Sequence, residues 1–223
     1  MRRLFTDPDG FIKQKAQMGG SIPAGILLTC AFVFALQPIV VYITWNNLGN
    51  IRMVREALIG KFFIEFLTVP VLWIGVSFLM LILARFLGGR PELGPLMRTD
   101  AYGFLPLIVA GLIWALGRWL AFSSYTVQQL QDAGIEEITG QLKPSMQVQF
   151  EVISGYVNLS KFGSGFANTA YTGSLVLGAL FILPTTYLWY LSVKHTTSLD
   201  NGPSLIVAAT PSLIYTAWLF GAL

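Results

Sequence analysis

The sequence predicts an all-α fold: a polytopic transmembrane helical bundle of about five spans, with a short amphipathic N-terminal segment and a partly helical outer loop. Three observations carry this. Of the 223 residues, 54% are hydrophobic and only 11% charged, where an average soluble domain has about a quarter of its residues charged. The apolar residues gather into stretches of about 20, the length that crosses a hydrocarbon core of about 30 Å. Inside such a core each stretch must be helical, because an open strand would leave its N–H and C=O groups unpaired. The same composition argues against a soluble enzyme domain, a disordered chain and a disulfide scaffold.

Residues 1–20 form a polar tail. Thr6, followed by Asp7, Pro8 and Asp9, reads as a helix start with a capping oxygen and a proline in the first turn. Phe11, Ile12 and Lys15 can then form a short amphipathic helix, apolar side to lipid and lysines to the headgroups. Residues 21–223 form a single transmembrane domain. Its first span, 22–44, is too long for a signal-peptide core and is retained. Tyr42 and Trp45 mark its far end as interfacial aromatics. A polar connection follows, with Arg52, Arg55 and Glu56. The second span covers 62–84, the third 102–122, the fourth 171–193 and the fifth 203–223.

Between spans three and four lies a 48-residue connection, 123–170, long for a loop without structure. Within it Val127, Leu130, Gly134/Ile135 and Ile138 recur at helical spacing, interleaved with Asp132, Glu136 and Glu137, which predicts a short amphipathic helix on the membrane surface. With the N-terminus inside, eight Lys and Arg fall on the inner side and six on the outer. The basic excess orients the chain as a multi-pass protein of the cell membrane with a cytoplasmic N-terminus.

The residues capable of chemistry are few. Cys30 is the only cysteine and His195 the only histidine, so neither an intrachain disulfide nor a Cys/His metal cluster is possible. Glu136 and Glu137 lie in the outer loop, across the membrane from His195, and do not assemble a protease site with it. No glycine-rich phosphate loop opens a helix, and no basic run carries interleaved aromatics, so nucleotide and nucleic-acid binding are unsupported. The sequence therefore offers no catalytic residue, no metal ligand and no cofactor site. Glu65 is the one possible intramembrane polar group of note, and an i,i+4 pair with Lys61 near the interface accounts for it. His195 reads as a wet interfacial residue beside Lys194.

Pro38, Pro70, Pro106, Pro184 and Pro211 place a proline in each span and predict kinked packing. Two stripes of small residues, Ala170/Ser174/Gly178 and Ala208/Ser212/Thr216, predict close approach of spans four and five, to each other or in a homo-oligomer.

Two short motifs carry a resemblance. The opening Leu4-Phe5-Thr6-Asp7-Pro8-Asp9-Gly10-Phe11 is similar to the Pro-x-x-Phe start of prokaryotic members of the Yip domain family, here Pro8 and Phe11. Span three opens with Tyr102-Gly103-Phe104-Leu105-Pro106, which looks like that family's Tyr-Gly/Ala-x-x-Pro entry, here Tyr102, Gly103 and Pro106. The five-span layout, with a basic, Gly-rich connection before span three, also resembles the family. Eukaryotic members are named for interaction with Ypt/Rab GTPases. They carry a longer N-terminal region than the roughly 20 residues here, too few for a helical crossing of their own, so GTPase binding is not carried over. The resemblance implies a non-enzymatic membrane scaffold or organiser, acting through helix packing and contacts with the lipid bilayer or other membrane proteins. The alternative is a small transporter or permease subunit, with Gln37, Asn46 and Glu65 among the few side chains that could line a path.

Overall fold

The computed structural model of the protein describes residues 2–18, 20–45, 52–123 and 169–219. The elements are α1 (Arg2–Thr6), α2 (Pro8–Gln17), α3 (Ala24–Trp45), α4 (Arg52–Phe86), α5 (Leu93–Asp100), a 3-10 turn (Ala101–Phe104), α6 (Leu105–Ser123), α7 (Thr169–Ala179), α8 (Ile182–Thr196) and α9 (Asn201–Leu219). Among the described residues the fold is all-α, a helical bundle. The segment expected to form an amphipathic surface helix, within 124–168, lies outside the described residues. Ile59–Phe86, Leu93–Leu120 and Thr172–Thr196 are each long and apolar enough to cross a membrane, and Ala24–Gln37 is a shorter apolar helix.

The chain divides into two compact units: Met1–Phe32, Leu67–Ala110 and Gly178–Leu223 in the first, Val33–Phe66 and Gly111–Leu177 in the second. In the first, α8 is the hub. It packs against α9, α2, α5 and the 3-10 turn. The part of α4 in this unit shows how the solvent has sorted its residues. Leu67, Val71, Ile74, Phe78 and Ile82 are exposed along one face, while Trp73, Ser77, Met80 and Ala84 are buried along the other. An exposed apolar stripe opposite a face that buries a serine is what a helix with lipid on its outer side requires.

Local chemistry sets the ends of these helices. The N-cap of α2 is Asp7 rather than Thr6: its Oδ1 accepts from the Gly10 N–H at 3.0 Å, and Pro8 fills the first helical position. Thr6 instead closes α1. The amphipathic face of α2 does not turn to lipid either. Phe11 and Ile12 are buried, and α2 packs on α8 and α5.

Helix α4 begins at Arg52, well before the expected span, and ends in a glycine pair. The Gly88 N–H bonds to Arg85 O at 3.1 Å and the Gly89 N–H to Ala84 O at 2.9 Å. Gly88 has φ +85°, which completes the Schellman geometry in which a left-handed residue lets two orphan carbonyls be satisfied. The next donor, Arg90 N–H, reaches Thr197 O at 2.9 Å. A side chain on Gly89 would lie 2.8 Å from Leu199 Cγ and 2.9 Å from Thr197 O, so glycine is what lets this connection seat on the end of α8.

The prolines act differently from one another. Pro70 and Pro211 lie inside α4 and α9. Pro106 is the second residue of α6, where its missing N–H would have no intrahelical partner anyway. Pro184 separates α7 from α8: its ring conflicts with the carbonyl four residues back, Leu180, and the helix breaks at Leu180–Phe181.

In the second unit, Gln37 Nε2 donates to Gly111 O at 2.7 Å, and Gly111 packs against Val33 and Phe34. Phe34 meets Trp114 edge-on at 5.8 Å between centroids.

Candidate functional site

The polar centre of the first unit is Asp100, the last residue of α5, which is fully buried. The helix places it by spacing alone. Leu96, Thr99 and Asp100 share one buried face of α5, since positions three and four apart are neighbours on a helix. The Trp73 indole N–H donates to Asp100 Oδ1 at 2.8 Å, and also lies 3.1 Å from Met97 O. The Ser77 hydroxyl donates to Asp100 Oδ2 at 2.5 Å. Trp73 and Ser77 stand one turn apart on the inner face of α4, so two neutral donors from one helix engage both oxygens of one carboxyl group.

The backbone at this point is held as firmly as the side chain. Where α5 tightens into the 3-10 turn, the Asp100 carbonyl accepts from the Trp189 indole N–H at 3.0 Å. Thr99 and Ser192 exchange a hydroxyl hydrogen bond at 2.5 Å. Trp189 is 3% exposed and lies directly over Gly103, where an added Cβ would collide with its Nε1 and Cδ1. Phe104 packs on the same indole, 5.8 Å between centroids. Tyr102, in the same turn, receives the Phe11 ring edge-on at 5.1 Å and 89°. The N-terminal Pro8–Phe11 segment and the Tyr102-Gly103 turn, ninety residues apart in sequence, therefore meet in one cluster. A family model described as Yip1 domain matches residues 2–223. The chain belongs to the Yip1 family. No curated protein and no solved structure matches it.

In this Yip1 chain the two quoted motifs are parts of one junction. Pro8 starts α2, Phe11 docks that helix on Tyr102, Gly103 admits Trp189, and Pro106 stands in the first turn of α6. Asp100 belongs to the same junction, although a third span set to begin at Tyr102 leaves it in a connection. The signal that finds it is the helical spacing of Leu93, Leu96, Met97 and Asp100, which carries the helix across the supposed boundary. His195 also differs from expectation. Its side chain is only 13% exposed, and Nε2 lies 3.0 Å from Asp9 Oδ1; Lys194 Nζ lies 3.4 Å from the same oxygen. The hydrogen bond from His195 is the chief cause that holds the Asp9 carboxyl below its ordinary value, against a smaller opposing effect of burial.

The remaining sequence-predicted positions have local partners of their own or are buried in their own helices. Ser212 is buried on α9 and accepts from the Thr186 hydroxyl of α8 at 2.6 Å. Ser174 and Gly178 are buried on α7. Glu65 Oε1 lies 3.0 Å from Lys61 Nζ, one turn earlier on α4. Among the described residues, no group of three or more His, Cys, Asp or Glu is placed to hold a metal ion.

Proposed function

We propose that this Yip1-family membrane protein is a non-enzymatic scaffold or organiser of the membrane. It crosses the bilayer five times with its N-terminus in the cytoplasm, and acts through its helix faces on lipid, on a second copy or on other membrane proteins. One observation supports this above the others: several of the buried polar side chains bond helix to helix. Asp100 joins α5 to α4, Thr99 joins α5 to Ser192 of α8, and Ser212 joins α9 to Thr186 of α8. Polar groups arranged along a solute path would instead have to present donors and acceptors to that solute.

The test is crosslinking in the native membrane, followed by purification and composition analysis. Recovery of homo-oligomers or of other membrane proteins, with no substrate-dependent thermal shift, is the expected result. Recovery of a nucleotide-binding subunit in fixed stoichiometry would overturn the scaffold in favour of a permease subunit.

A further inference from the structure

We infer that Asn201 is a self-modification site, where attack by the Gly202 backbone nitrogen converts the side-chain amide to a carboxylate. Of the six asparagines in the chain, it is the one followed by glycine. Glycine leaves that nitrogen unshielded and the peptide free to turn. Asn201 and Gly202 open α9, and both are exposed. The first hydrogen bond of the helix runs from Ser204 N–H to Asp200 O at 3.0 Å. The Gly202 N–H is therefore one of the leading donors that have no carbonyl within the helix to bond, and Pro203 follows with no N–H of its own. An exposed first turn frays at little cost, which lets the Gly202 nitrogen reach Asn201 Cγ.

The neighbouring helix activates the amide. Tyr190 O–H of α8 donates to Asn201 Oδ1 at 3.0 Å. That oxygen takes the electron pair when the carbonyl is attacked, and a donor already in place stabilises the charge as it develops. The Gly202 nitrogen gives its proton to hydroxide and forms a bond to Cγ, while the C=O pair moves onto Oδ1. Return of that pair breaks the Cγ–Nδ2 bond. The leaving nitrogen takes a proton from water, departs as ammonia and restores the hydroxide. The five-membered imide left behind adds water and opens at either carbonyl. One opening gives aspartate; the other gives isoaspartate, in which the backbone runs through the former side chain. Either product lowers the net charge of +3 by one. The new carboxylate stands at the N-terminus of α9, where the helix dipole favours negative charge. This inference stands independently of the scaffold proposal.

The experiment holds the purified full chain in nanodiscs at mildly basic pH in heavy-oxygen water. Peptides spanning the α8–α9 connection are then followed by mass spectrometry, with fragmentation that separates aspartate from isoaspartate. The expected result is a mixture of both products at Asn201, each carrying solvent oxygen, while the other five asparagines stay amides. Tyr190→Phe should slow the conversion about two- to tenfold, the effect of one hydrogen bond on an exposed oxyanion. Gly202→Ala should abolish it over the same interval. That variant keeps the fold, because an added Cβ at Gly202 meets nothing within 4 Å. An Asn201 as durable as the other asparagines overturns the inference. So does aspartate without isoaspartate, which marks direct hydrolysis, or a Tyr190→Phe rate equal to the parent's.

Discussion

Replacing Gly103 by alanine isolates the contact on which the α5–α6 junction closes. The added Cβ would collide with Trp189 Nε1 and Cδ1. Those atoms are not the tip of a flexible side chain. They belong to a rigid indole that is 3% exposed, packed by Phe104 and bonded to the Asp100 carbonyl at 3.0 Å. The clash can be relieved only by moving the indole or the 3-10 backbone. Overpacking of this kind costs about 1–3 kcal/mol, and loss of the indole hydrogen bond adds about 0.5–1.5 kcal/mol. Together they place the destabilisation at about 2–4 kcal/mol, or a fall in Tm of roughly 5–10 °C for a chain of this size. Thermal unfolding in detergent measures it. A double-mutant cycle with Trp189→Phe tests the cause: the pair should lose less than the sum of the single variants, because the hydrogen bond can be lost only once. A Tm unchanged in Gly103→Ala, or strictly additive losses, would refute the reasoning.

Three further outcomes follow from the same geometry. Asp100→Ala leaves the Trp73 N–H and the Ser77 hydroxyl without their carboxyl acceptor in a buried site and should cost about 2–4 kcal/mol, whereas Asp100→Asn keeps one acceptor oxygen and should cost less than half of that; denaturation midpoints of the two variants, side by side, check the ratio. Gly88→Ala forces a left-handed backbone on a residue with a Cβ and should cost about 1–2 kcal/mol, with Gly88→Asn recovering most of it by the same measurement. Asp9 titrates below its ordinary value of 3.8 in the folded protein, so its contribution is present above the unfolded pKa and is lost as pH falls through the folded one; protection of the α2 amides, followed by hydrogen exchange, should drop below about pH 4 in the parent and show no such step in Asp9→Asn.

Much of the fold was legible because the solvent is written into composition. Apolar runs of bilayer length specify helices whatever their detailed packing, and Pro8, Phe11, Tyr102 and Gly103 carried enough identity to point to the family. Helix limits were less legible where polar residues continue a helix beyond its apolar part, as at Arg52 and at Leu93–Asp100. A hydropathy boundary marks a change of solvent, not an end of hydrogen bonding. Asp100 was missed for that reason, and its two donors, Trp73 and Ser77, lie on a different helix, a pairing that no local pattern encodes. The docking of α2 was hidden in the same way. An amphipathic helix has one face to bury, but its sequence does not say whether lipid or protein receives it.

The seating of residues 89–103 on α8 also bears on how the chain is made. Arg90 N–H, Thr99, the Asp100 carbonyl and Gly103 all meet partners between Trp189 and Leu199. When the first half of the chain leaves the ribosome, none of those partners exists yet, and domains generally fold in the order of synthesis. The α4–α5 connection and the 3-10 turn therefore wait, with polar groups uncovered, until α8 arrives. The arrival of α8 is the step that supplies those partners.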